Sequence, residues 1–222
     1  MVKVRIWDLP TRVFHWLLVV CVLGLVVSGQ IGGSAMQWHF RLGYGVLALL
    51  LFRLLWGFVG GRWSRFVVFV RSPGVVLRYL RGQGTPDMEV GHNPLGALSV
   101  LGLLAVGLVQ VCTGLFSDDE IFNSGPLAHW VSADWVSLAT RVHTEVNKVV
   151  LIALVLLHVA AIVYYRVAKR RDLVRPMVTG DKELASALEP ARDTSASRLF
   201  ALCLFVVILS GVWWGVQSLS PA

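Results

Sequence analysis

The stretch from His143 to Arg166 reads HTEVNKVVLIALVLLHVAAIVYYR, and it decides the architecture. Between Lys148 and Arg166 no side chain is charged, and a single histidine, His158, interrupts the apolar and aromatic run. A helix needs about 20 mostly apolar residues to cross the hydrocarbon core of a bilayer. Besides this run at about 146–165, four others have the same character, at about 13–31, 38–58, 96–116 and 198–217. In lipid a backbone must satisfy its own hydrogen bonds, so runs this long are helices. A β-barrel would need roughly ten-residue alternating segments, which the sequence does not show. Composition agrees, since 56% of the 222 residues are hydrophobic and 15% charged, where a soluble domain carries about 25% charged residues. The expected fold is all-α, an integral membrane helix bundle with five transmembrane helices.

The net charge of +7 invites a nucleic-acid reading, but its placement argues against one. Seventeen of the twenty basic residues fall before the first run, at the end of the second or in the loop beyond it, or from the end of the fourth to the start of the fifth. All of those segments share one side of the membrane if five spans alternate. Arg41, Arg141 and Lys148 lie near the other side. The positive-inside rule then places the N-terminus in the cytoplasm and the C-terminus outside. A cleaved signal peptide over residues 1–35 is disfavoured by the length of the first run and the histidine within it. Cys21, Cys112 and Cys203 sit in three different runs, and no C-x-x-C-H signature is present for covalent haem attachment. Trp130 and Trp135 suit a short interfacial helix in the loop 117–142. The segment 168–197 reads as charged and exposed.

Ionisable side chains inside a span are expensive, so each needs a reason. His15 lies early in the first run, His39 opens the second, and His143 and His158 belong to the fourth. Fifteen residues separate His143 from His158, about 22 Å along an α-helix, and the two point to broadly the same face. One helix can thus offer one ligand to each of two stacked sites. Alternation places His39 with His143 near the outer side, and His15 with His158 towards the inner side. One histidine from each of two helices is how a bis-histidine haem is held in a bundle. Zinc usually takes three or four ligands close together, which these pairs do not offer. Gly43, four residues after His39, leaves room on that face for a porphyrin or for a neighbouring helix. Arg41 and Arg141 are candidates to pair with haem propionates, against snorkelling to the interface. His92 and His129 fall in loops.

Several segments resemble the bacterial cytochrome b561 and nickel-hydrogenase cytochrome b family. They are VRIWDLPTRVFHW at Val4–Trp16, GHNPLG at Gly91–Gly96, GPL at Gly125–Leu127, the His143–His158 helix, and DLVRPMVTGDK at Asp172–Lys182. The resemblance implies a membrane-anchored b-type cytochrome that exchanges electrons between a quinone/quinol pool and a redox partner protein, a hydrogenase-like subunit or a cytochrome c. It also implies two non-covalent haem b (heme b) groups, with ligands at His15, His39, His143 and His158. The expected division is a four-helix di-haem core at 1–166, a cytoplasmic linker at 167–197, and a transmembrane helix at 198–222.

Within the redox class the chain is either a standalone quinone oxidoreductase or the cytochrome b subunit of a larger respiratory complex. A transporter subunit would show broken helices and charges at mid-membrane. A passive membrane anchor would leave four intramembrane histidines unexplained.

Overall fold

The computed structural model describes residues 2–220. In chain order it contains β1 (Val2–Arg5), α1 (Leu9–Ile31), α2 (Met36–Val59), α3 (Phe66–Phe69), α4 (Pro73–Leu80), α5 (Pro94–Phe116) and α6 (Ala133–Arg141). A π-turn at Val142–Asn147 follows, then α7 (Lys148–Val167), α8 (Val174–Thr179), β2 (Asp181–Leu184) and α9 (Ser195–Leu219). Five helical segments, Leu9–Ile31, Gly33–Val59, Pro86–Phe116, Ala133–Val167 and Ser195–Leu219, are long and apolar enough to cross a membrane. The protein is a helical membrane bundle. Its second span is the most enclosed, with 44% of its apolar window buried against 6–17% for the others. The remaining apolar surface, such as Val20, Leu23 and Leu156, faces outward, as helices solvated by lipid require.

Local sequence sets the helix ends. α1 stops where Gly32 and Gly33 take left-handed backbone angles, φ 66° and 52°. α5 opens on Pro94, and the Asn93 side-chain oxygen accepts from the Gly96 amide at 2.7 Å, a helix cap followed by a proline in the first turn.

The chain divides into two compact units. One comprises the N-terminal stretch through Phe14, Arg53–Gly102 and Val155–Leu202. Its small core gathers Val4, Ile6, Trp7 and Val90, with Trp63, Met177, Leu184 and Leu188 packed against them. β1 and β2 pair antiparallel in the register Val2↔Leu184, Lys3↔Glu183, Val4↔Lys182 and Arg5↔Asp181. Opposite charges therefore face each other twice across the ladder. The segment 168–197, expected to be exposed, is instead partly folded into this unit. Asp193, whose side chain is 5% exposed, binds Arg5 at 2.7 Å and Arg198 at 2.8 Å.

Asp8 is the polar hub of the same unit. It is fully buried and accepts from the Thr11 amide at 2.8 Å, the Gly61 amide at 2.9 Å, Ser64 Oγ at 3.1 Å and Trp56 Nε1 at 3.2 Å. Arg53, 3% exposed, supplies a positive charge nearby and donates to the Ser64 carbonyl at 3.0 Å. A buried carboxylate is tolerated when it is this fully hydrogen-bonded.

The second unit comprises His15–Phe52, Leu103–Leu154 and the chain from Cys203 onward. Val46, Ala48, Leu49 and Leu50 of α2 are buried in it, as are Leu104 and Val111 of α5. Phe52 and Phe205 meet edge to face, ring centres 6.0 Å apart.

Candidate functional site

The second unit brings His39 of α2 and His143 of the π-turn together. Their ring centres stand 6.2 Å apart, with planes inclined at 80°. Each ring is tied by its Nδ1 to a main-chain carbonyl of another helix: His39 to Leu25 at 3.0 Å and His143 to Gln110 at 2.8 Å. A carbonyl only accepts, so each Nδ1 carries the hydrogen, and each Nε2 keeps its lone pair. Holding the ring by one nitrogen while the other stays free is the arrangement of a metal-ligating histidine.

Four residues beyond each of these accepting carbonyls lies a glycine. A Cβ at Gly29, four past Leu25, would stand 3.3 Å from the His39 ring. A Cβ at Gly114, four past Gln110, would stand 2.8 Å from His143 Cε1. Residues four apart share a helix face, so α1 and α5 each present one carbonyl and one glycine to one imidazole. Gly43, on the His39 face of α2, meets nothing within 4 Å of its would-be Cβ. That is the open space a flat ring needs.

A polar bracket fixes His143 further. Asn147, 7% exposed, donates to the Val106 carbonyl at 3.0 Å and to Gln110 Oε1 at 2.7 Å. Gln110 Nε2 in turn donates to the His143 carbonyl at 3.0 Å. The backbone around these residues follows a π-turn, a deviation frequent at functional sites. Ideal α-helical counting from His143 to His158 therefore does not hold over the first turn. Gln110 and Asn147 were not singled out from the sequence, although polar residues within apolar runs were the available signal.

The pair also passes a test of fit. A metal between two imidazoles takes each nitrogen at about 2 Å, and each ring centre lies about 1 Å further, so the centres stand about 6 Å apart. The observed separation, the Nε2 atoms left over by the Nδ1 bonds and the open space at Gly43 fit a bis-histidine haem. Among the described residues no group of three or more His, Cys, Asp or Glu gathers to hold a metal ion, so zinc has no ligand set there.

The other predicted residues are placed as follows. His15 is half-buried on α1, with its ring edge-on to Trp16 at 5.0 Å. His158 is half-buried on α7. Arg41 lies over the Trp38 ring at 5.2 Å and lines a cavity of about 450 Å³ with Tyr44, Ser210 and Trp213. Arg141 faces solvent and pairs with Glu145 at 3.5 Å. His92 is wedged between Trp7 and Phe69, ring centres 4.6 and 4.5 Å away. His129 packs beside Trp130 at 5.3 Å.

Five membrane-length apolar helices, with imidazoles from two of the spans 6.2 Å apart, are in keeping with a membrane b-type cytochrome, an electron-transfer protein whose cofactor is haem b. Residues 6–180 match the family model described as prokaryotic cytochrome b561, and the chain belongs to that family. It is similar to a probable Ni/Fe-hydrogenase B-type cytochrome subunit of Bradyrhizobium diazoefficiens, 25% identical over 213 residues, covering 81% of this chain and 86% of the relative. A similarly named protein of Rhodobacter capsulatus is 25% identical, with 81% of each chain covered. The probable Ni/Fe-hydrogenase 1 B-type cytochrome subunit of Escherichia coli K12 is 30% identical over 135 residues, 49% of this chain and 57% of the relative. No solved structure matches.

Proposed function

We propose that this protein is the di-haem cytochrome b subunit of a respiratory oxidoreductase, passing electrons between a hydrogenase-like partner and a quinone pool. The observation that carries this reading is the His39–His143 pair at 6.2 Å, with both Nδ1 atoms tied down. In this reading His39 and His143 hold one haem b through Nε2. His15 and His158 hold the second, on the sequence argument that the helix of His143 supplies one ligand to each site. Bound there, haem supplies one-electron chemistry. The protein's part is to fix the ligands, exclude water with apolar helices, and set the potential through the hydrogen bonds on Nδ1.

The names of the relatives support a hydrogenase partner, and a cytochrome c is the alternative partner. Arg41 and Arg141 remain the proposed propionate contacts on their side of the membrane. The β1–β2 ladder supports the proposed topology. Strands that pair must share one side, which requires an even number of crossings between them, and four of the five spans lie there. The basic excess then assigns that side to the cytoplasm of a bacterial inner membrane, with the C-terminus periplasmic.

The test is reconstitution of the purified haem-loaded protein with a short-chain quinol and, separately, with a hydrogenase module. Reduction of the haem spectrum by both donors is expected. A full haem complement that neither donor reduces would overturn the reading.

A further inference from the structure

The first unit contains a cavity of about 410 Å³ that the redox reading does not use. Its wall includes the cations Lys3, Arg170, Arg171, Arg175 and Lys182, and the carboxylates of Glu89, Asp172, Asp181 and Glu183. The carboxylates are largely spoken for. Asp172 is paired with Arg166 and Asp181 with Arg5, both cations outside the wall, while Glu89 is paired with Arg171. Among the described residues, Lys3, Arg170, Arg175 and Lys182 make no ion pair, and Glu183 is the one carboxylate of the wall left over. The cavity thus carries a surplus of positive charge.

One of these cations is held there at a cost. Lys182 is half-buried, and its Nζ donates to the main-chain carbonyls of Glu89 and of Val90, the latter at 3.2 Å. Burial and the Arg171 charge hold its ammonium down to about 8. Arg170 has a left-handed backbone, φ 52°, an uncommon state for a residue with a Cβ. That state closes the C-terminal turn of α7, where the Arg171 amide donates back to the Tyr165 carbonyl at 2.9 Å.

The cavity also adjoins apolar surface. Tyr165 and Asn93 form part of its wall, and the Asn93 side-chain amide donates to the Tyr165 hydroxyl at 2.6 Å. On the last turns of α7, Val163 and Tyr164 are each 54% exposed and Val167 is 73% exposed. A phosphate seated among the cations would sit at the end of α7, a helix long and apolar enough to cross a membrane, where lipid headgroups lie. Free phosphate would use only the first half of this arrangement. Basic pockets at the ends of transmembrane helices bind lipid headgroups by the same means.

We propose that the cavity formed by Lys3, Arg170, Arg175 and Lys182 binds the phosphate headgroup of an anionic phospholipid. The site is independent of the haem assignment.

The test uses the delipidated, haem-loaded full chain titrated with phosphatidylglycerol or phosphatidylcholine, with bound lipid counted by native mass spectrometry. One preferential phosphatidylglycerol per chain is expected. Arg170→Gly suits the left-handed backbone and should fold normally, yet it removes one charge. Combined with Arg175→Gln, it should weaken phosphatidylglycerol binding about tenfold or more. The control pair Arg78→Gln with Arg81→Gln removes equal charge from exposed α4 and its end, and should leave that binding unchanged. The haem spectrum should be the same in every variant. An equal loss in the control pair, or no preference over phosphatidylcholine, would overturn the site. Saturable capture of inorganic phosphate with no added gain from the lipid would overturn the lipid assignment.

Discussion

Asn147 donates from its side-chain amide to the side-chain oxygen of Gln110 at 2.7 Å. That bond orients Gln110 so that its own amide reaches the His143 carbonyl, while the Gln110 carbonyl receives the His143 ring. One imidazole is thereby fixed at its backbone and at its Nδ1. Hydrogen-bond partners behind a metal ligand commonly contribute about tenfold to a hundredfold in affinity or activity. Asn147→Leu should therefore weaken retention of the haem at His39 and His143 by about that factor, as measured by haem loss to apomyoglobin. Unchanged retention would mean that the bracket serves helix packing alone.

The inclination of the two rings is spectroscopically visible. Axial imidazoles near 80° to each other should give a strongly anisotropic, large-g low-spin signal from the oxidised haem at low temperature. Parallel rings give a rhombic spectrum instead. A rhombic signal from the haem lost in His39→Ala would show that the planes rotate when the metal binds.

Ligand pairing is open to a direct count. Haem extraction should give about two groups per chain in the parent and about one in either His39→Ala or His143→Ala, with the same spectral component missing from both. The double variant should still hold about one, because both lesions fall in one site. His15→Ala and His158→Ala should remove the other component. If stable His39→Ala and His158→Ala proteins lost the same haem, the pairing would be wrong.

Asp8 has a different role, which is to hold the first unit together. Asp8→Ala strands the amides of Thr11 and Gly61 and leaves the buried Arg53 without its nearby carboxylate. Leaving a buried donor unsatisfied costs about 1–3 kcal/mol. A drop in thermal midpoint is expected even in protein that retains its haem spectrum. A midpoint within error of the parent would contradict the role assigned to this carboxylate.

Acid should loosen the same unit through Asp193. Burial alone would raise this carboxyl, but hydrogen bonds from Arg198, the Leu9 amide and Arg5 outweigh it and hold it at about 2. Its folded value lies below the unfolded one of about 3.9. The stabilisation is therefore complete above about pH 4 and is lost as pH falls towards 2, amounting to about 2 kcal/mol. Asp193→Asn should flatten the acid limb of the stability curve in that window. An identical acid limb in parent and variant would remove Asp193 from the account.

The meeting of His39 and His143 was legible because a histidine in or at the edge of an apolar run has few reasons to be there, and alternating spans put these two on one side. What made the site specific was less legible. Gln110 and Asn147 are visible as polar residues, but that they meet each other and His143 depends on helix register. The π-turn has no local signature, since its hydrogen bonding answers to a neighbouring helix. VKVR and DKEL are each too short to announce strands, and 176 residues separate Arg5 from its partner Asp181. The WDLP segment was noticed as a family likeness, yet Asp8 acquires its role only when Trp56, Gly61 and Ser64 arrive around it.

That long separation bears on biogenesis. β1 emerges from the ribosome well before β2, and it can find that partner strand only after four spans have been synthesised and inserted. Until then Val2–Arg5 has no ladder, and Asp8 waits for the end of α2. β1 is thus made well before the strand that locks it. A tag fused directly before Val2 should impair maturation, measured as the haem-loaded fraction in membranes, more than the same tag after the C-terminal helix.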